Sequence, residues 1–301
     1  MNKNLRKKTI GVMAAGLVLT ASVGAAAYAK GNAYDDFKAA VVKTSKIENS
    51  TLNSDIQVTQ NGKVTASGKV VWQSAGENQY SSGQFTVGGK TVDTEQSTSG
   101  DQTILREGNQ YYSMDHAELG MMDDSHDSFE SSPSAIRLAE AASDLLIGDV
   151  KNRFTENGDT IKLSLTDAQI PELANLALNA VLEAGAQHEE EFGYDENDDS
   201  AAGLNIDKKT LFPIVSNGRV ESVQLEAKVT DGTITAIQTT IAVSGLGENG
   251  KNIKVEASID STMSNIGSTT PKAIDVKGKK VETFDHEEFG GEFHGKGKDR
   301  F

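Results

Sequence analysis

The chain has 301 residues, 29 Lys and Arg against 44 Asp and Glu, a net charge of −15, four Pro and no Cys. So acidic a surface repels nucleic-acid phosphates and anionic headgroups, and the lack of Cys excludes disulfides, thiolate metal sites and a cysteine nucleophile. Stability has to come from a packed core, in one large domain or two small ones.

Residues 1–29 read as an export signal. Lys3, Arg6, Lys7 and Lys8 precede an apolar stretch from Ile10 to Ala27, and Ala27-Tyr28-Ala29 gives the small-x-small pattern before Lys30. The expectation is cleavage between Ala29 and Lys30 and a secreted or cell-surface product. The alternative is an uncleaved N-terminal membrane anchor, because the stretch is near the lower length for a span. Cleavage removes four basic residues and no acidic ones, so the net charge goes from −15 to −19. With no Cys after the apolar run, lipid attachment at a lipoprotein cysteine is excluded.

Residues 34–47 are expected to form an amphipathic helix, with Tyr34, Phe37, Val41 and Thr44 on one face. Asp35 and Asp36 in its first turn and Lys43 and Lys46 in its last suit the helix dipole. The period then becomes two. Leu52, Ile56 and Val58 alternate with polar residues, Asn61-Gly62 turns the chain, and Val64, Ala66, Gly68, Val70 and Trp72 return on one parity. Hairpins follow around Gly88-Gly89 and Gly108-Asn109, giving an antiparallel meander of five or six strands with a Thr-, Ser- and Gln-rich polar face.

Ser132-Pro133 opens an expected helix to about Arg153, with Ser as N-cap and Pro at the first helical position. A strand is expected at Thr160 to Leu165. Thr166 and Gln169 then fit a capping box for a helix from Ile170 to about Glu191, with Leu173, Leu176, Ala177, Ala180, Val181 and Ala184 as its apolar residues. Residues 187–203 are an acidic loop with too little apolar content to pack. Leu211 to Val215 is a possible short strand. A meander closes the pattern: Val223, Leu225, Ala227 and Val229; a turn at Asp231-Gly232; Ile237, Ile241 and Val243; then Ile253, Val255, Ala257 and Ile259. Periodicity is lost after Pro271. One domain is expected over 30–274, with 275–301 as a disordered charged tail.

The implied class is α+β: a long curved antiparallel sheet, a half-barrel wrapped around three helices. This element order, over roughly residues 33–270, resembles the LolA/LppX-like lipoprotein-carrier superfamily of bacterial envelopes. The resemblance rests on the leading helix Tyr34–Ile47, the meander from Leu52 to Met114, the helices flanking Thr160–Leu165 and the closing meander from Arg219. It implies a sheet wrapped around a helical plug, with an apolar cavity that holds acyl chains. No short motif is matched, so no functional residue is carried over. Members on single-membrane cells are tethered through an N-terminal Cys, which this chain lacks.

The residues placed to line such a cavity are Ile56, Val70, Trp72, Leu146, Leu176, Val181, Leu225 and Ile241. The bland alternative is that they form a closed core. Asp123, Asp124, His126 and Asp127 make the best metal-like group, against the reading of a solvated acidic loop. Asp195, Asn197 and Asp199 occupy the first ligand positions of a calcium loop, but Ser200 stands where Gly is needed and Ile206 where Glu is needed. His286 and His294 lie in the expected tail. No nucleophile elbow, zinc-protease helix or Walker loop occurs. The functional expectation is a non-enzymatic exported protein without a cofactor. It would bind lipid or another apolar small molecule at the cell envelope, where an envelope protein partner is possible, and would not bind nucleic acid. The alternative is an acidic cell-surface interaction module with weak cation binding.

Overall fold

The computed structural model describes residues 33–115, 150–172, 174–176, 178–179, 182 and 211–283. Two-residue turns set its architecture. Asn61 and Gly62 have φ of 50° and 80°, and Asp231 and Gly232 have 52° and 71°. These left-handed pairs match the twist of the strands that they join.

The strands are β1 (Asn49–Gln60), β2 (Lys63–Ala75), β3 (Asn78–Val87), β4 (Lys90–Ser99), β5 (Gln102–Glu107), β6 (Gln110–Asp115), β7 (Phe154–Asn157), β8 (Thr160–Thr166), β9 (Ser216–Thr230), β10 (Thr233–Leu246), β11 (Asn252–Ser264) and β12 (Val281–Thr283). Among the described residues they form one open sheet of twelve strands in the order β12-β6-β5-β4-β3-β2-β1-β11-β10-β9-β8-β7. Every pairing is antiparallel except that of β12 with β6, which is parallel. The long antiparallel sheet expected from the two-residue period is therefore present. Leu211 to Val215 does not add a strand to it.

Helix is scarcer than expected among the described residues. α1 (Ala33–Thr44) is the first expected helix. Of the second, only Val150–Arg153 is described, and it forms a 3-10 turn. Thr166 is held by Gln169, whose Oε1 accepts from the Thr166 N–H at 2.9 Å. The bond caps a 3-10 turn, Asp167–Gln169. Helical backbone then appears at 172, 174–176, 178–179 and 182.

Cross-strand partners share a face, so the register divides the sheet into two sides. Ile56 lies opposite Gly68 and Ile259, and Ile259 opposite Thr239, which faces Leu225 and then Leu163. This is the apolar side, and the parity expected for the closing meander holds along it. α1 packs over β7–β10: Phe37 and Ala40 are buried with Ile161, Ala227 and Ile234. Tyr34 and Phe37 meet Phe154 at ring-centroid distances of 5.3 and 5.4 Å. Ala174, Leu178 and Leu182 bring the second helical stretch down beside them.

That second stretch docks by an edge-capping device. β8 ends at Thr166 opposite Ser222, so the start of β9 has no strand neighbour on that side among the described residues. Side-chain amides take the strand's place. Asn179 donates to the Gly218 carbonyl at 2.7 Å and accepts from the Gly218 N–H at 2.8 Å, and Asn175 accepts from the Val220 N–H at 2.9 Å. Gly218 lets this stretch sit close, since a Cβ there would lie 2.9 Å from Leu178 and 2.8 Å from Leu182 and would push those leucine ends aside.

On the polar side, residues 265–280 cross the sheet as a strap. Thr269 bonds Asn49 and Thr51, the Lys272 N–H donates to Gln73, and the Ile274 N–H donates to Ser97. The strap ends in β12, beyond the boundary at 274 drawn from the loss of periodicity. Isolated hydrogen bonds to the sheet hold it, and such contacts leave no hydrophobic period to read.

Candidate functional site

Of the eight residues expected to line a cavity, Ile56, Val70, Trp72, Leu225 and Ile241 lie on the apolar side and are half-buried. Leu225 packs against the clusters under α1 and the second helical stretch, and Ile241 packs beside Leu178 and Leu182. Leu176 is 56% exposed. Ala174, Leu178 and Leu182, four residues apart, take the sheet-facing stripe, and Leu176 falls off it. Leu146 and Val181 lie outside the residues whose side chains are described, as do Asp123, Asp124, His126 and Asp127. All five His also fall outside the described residues, among which no group of three or more His, Asp or Glu gathers around a point.

The part of the apolar side over β1–β6 is built differently from the part under α1. Phe85 faces Gly68 across β2 and follows Gly83 by two on its own strand. A Cβ on Gly83 would lie 2.5 Å from its ring, and one on Gly68 2.7 Å. The ring therefore lies down over two glycines, as aromatics do when they cover bare backbone in a sheet. Val70 lies beside Gly83, Trp72 beside Leu52, and Leu105 beside Tyr112. Burial pushes the Tyr112 phenol up, and the Glu107 and Glu282 charges add to this. The residues that the sequence reading missed here are Phe85, Leu105 and Tyr112. The signal was the small-residue pair Gly68 and Gly83 flanking an aromatic at the same parity.

The polar side holds a group of three charges and a tyrosine under the strap. Glu95 Oε1 accepts from Tyr80 Oη at 2.8 Å and from Lys272 Nζ at 3.0 Å, and Lys272 Nζ lies 5.1 Å from the Tyr80 ring centroid. Arg106 Nε is 3.0 Å from Glu95 Oε2, an ion pair whose N–H direction misses the oxygen, so this buried nitrogen makes no hydrogen bond. Burial works to raise the Glu95 pKa; bonds from Tyr80 and Lys272 and the charges of Arg106 and Lys272 outweigh it and hold the carboxyl below the usual range. The carboxylate stays ionised, with two donors on Oε1 and the Arg106 charge beside Oε2. It fastens the strap and is a poor proton acceptor.

No family model matches the chain, and no curated protein matches it. Among solved structures, the crystal structure of Rv2717c from M. tuberculosis is 10% identical and covers 73% of this chain and 95% of that one, at a TM-score of 0.20. Superposition that poor carries no argument about fold or function.

Proposed function

We propose that this is an exported, non-enzymatic protein that holds a lipid tail or another apolar ligand against the apolar side of its sheet, at the cell envelope. Twelve twisted strands do not stay flat, and the sheet curls into a half-barrel around the elements on its apolar side. The observation that carries the reading is the surface over β1–β3, where Ile56, Val70, Trp72 and Phe85 are half-buried on one face above Gly68 and Gly83. Leu225 and Ile241 serve the core instead, so the ligand lies toward β1–β6. Each methylene that enters such a surface gains about 0.8 kcal/mol, which makes burial sufficient without a metal or nucleotide.

Trp72 is the single Trp of the chain and reports on this surface directly. Titration with oleate is expected to shift its emission to the blue and to saturate, and Val70→Asp is expected to abolish the shift. Solvent extraction of the exported protein, followed by mass spectrometry, is expected to release an acyl-chain compound. Unmoved emission together with an empty extract would sink the proposal. The export step has its own check, since N-terminal sequencing of the protein in the medium is expected to begin at Lys30.

A further inference from the structure

We infer that the polar side of β9 and β10 carries a second binding site, a trough for a neutral oligosaccharide. Two hollows open along these strands. The larger, about 390 Å³, includes Asn217, Glu221, Asn252 and Lys254 in its lining. The smaller, about 240 Å³, is lined by Gln224, Gln238, Lys162 and Glu226 among others. From Glu221 to Glu226 is about 16 Å of strand, so one extended ligand spans both.

The larger hollow is shaped by breaks in the ladder. Register shifts fall between Ala242 and Val243 and between Ser244 and Leu246 on β10, and another lies between Val58 and Thr59 on β1. Val220 and Val223 both keep the apolar side, so the extra residue puts Glu221 and Ser222 together on the polar side. Bulges re-aim side chains in this way beside binding sites. Glu221 then reaches Lys254 on β11 at 2.9 Å.

The lining selects the ligand class. Each cation has its own carboxylate: Lys254 with Glu221, Lys162 with Glu226 at 2.7 Å, and Arg219 with Asp167. No net positive charge is left to hold an anion. The side-chain amides of Asn217, Asn252, Gln224 and Gln238 have no protein partner among the described residues, and each offers both a donor and an acceptor. Leu246 adds aliphatic surface at one end. Paired donors and acceptors beside short aliphatic patches complement a chain of hydroxyls and C–H faces. The site lies on the opposite side of the sheet from the apolar surface and does not depend on it.

The test is calorimetry of the full chain with cellohexaose, chitohexaose and maltohexaose, with polyphosphate as the charged comparison. One neutral hexasaccharide is expected to bind saturably, with an affinity that does not change between low and high salt. Gln224→Ala, Gln238→Ala and Asn252→Ala change exposed side chains and are each expected to weaken binding about fivefold, the equivalent of one net hydrogen bond. Lys69→Ala, on β2 away from the trough, is expected to leave it unchanged. Binding of polyphosphate alone, no saturable heat with any of the neutral sugars, or sugar binding that ignores the trough variants would overturn the inference.

Discussion

Asn179 shows how much one side chain carries where a strand stops short. Its amide bonds both backbone groups of Gly218, and that glycine is buried. Asn179→Ala leaves a buried N–H and a buried C=O without those partners, and each unmet group costs about 1–3 kcal/mol. A loss of about 2–4 kcal/mol is expected in urea unfolding, with the urea dependence unchanged. Asn179→Asp keeps the acceptor for the Gly218 N–H and gives up the donor, so it is expected to fall between. A loss near that of an exposed substitution would show that the amide is replaceable by water. The same residue marks a limit of sequence reading. An Asn four residues after Asn175 on an expected helix reads as a solvated pair, because the strand edge that it completes is about forty residues away. Sequence reading puts Leu173, Leu176, Ala177, Ala180, Val181 and Ala184 on the apolar face and passes over Leu178 and Leu182, which pack against the sheet; Leu176, 56% exposed, has the same hydrophobicity and nothing local tells them apart.

At the scale of elements, the strap is the part least visible beforehand and the most specific in its contacts. The hairpins announce themselves, because Asn61-Gly62, Gly88-Gly89 and Asp231-Gly232 need left-handed backbone and sit between alternating runs. The strap has no period, since Thr269, Lys272 and Ile274 each meet the sheet through a different kind of bond. The sheet order is also silent in the sequence: β11 joins β1 and leaves β7 and β8 at the far edge, an arrangement set by long-range burial and not by local turns. Glu95, 17% exposed at its side chain, is the strap's anchor. Glu95→Gln removes the charge that Lys272 and Arg106 answer and is expected to lower stability by about 1–3 kcal/mol. Ending the chain after Ser264 is expected to lower the melting temperature further and to open the β1–β6 region to hydrogen exchange while β9–β11 stay protected. Uniform exchange across the sheet would argue against the strap as a local fastening.

For the whole molecule, the charges under the strap set a window of pH. The Glu95 carboxyl is held below its ordinary value in the fold, so on acidification the unfolded chain takes up the proton first. The stabilisation is complete at neutral pH and is lost as pH falls from the unfolded carboxyl's range through the lowered folded value. Lys272 runs the other way. Bonds to Glu95 and Tyr80 hold its pKa up, so its contribution is present below the unfolded value and is lost as pH rises through the raised folded one. Lys272 is 58% exposed and screened by solvent, so the alkaline loss is expected to be the smaller of the two. Unfolding free energies measured from acid to neutral pH are expected to show an acid arm in the natural chain and a shallower one in Glu95→Gln. Superimposable profiles would remove Glu95 from the account.

Because β7 and β12 bound an open ribbon of twelve strands, the separation between its two rims is a gauge of bending. Laid out level, eleven spacings between strands would set the rims about 52 Å apart; rolled through half a turn, the same ribbon brings them to about 33 Å. Native thiols are lacking, so Thr155→Cys and Glu282→Cys, at exposed positions on the opposite rims, give a uniquely labelled dye pair. Energy transfer between those dyes is expected to report the shorter span if the ribbon rolls as proposed, and under the proposed function an apolar guest is expected to stiffen that distance without lengthening it.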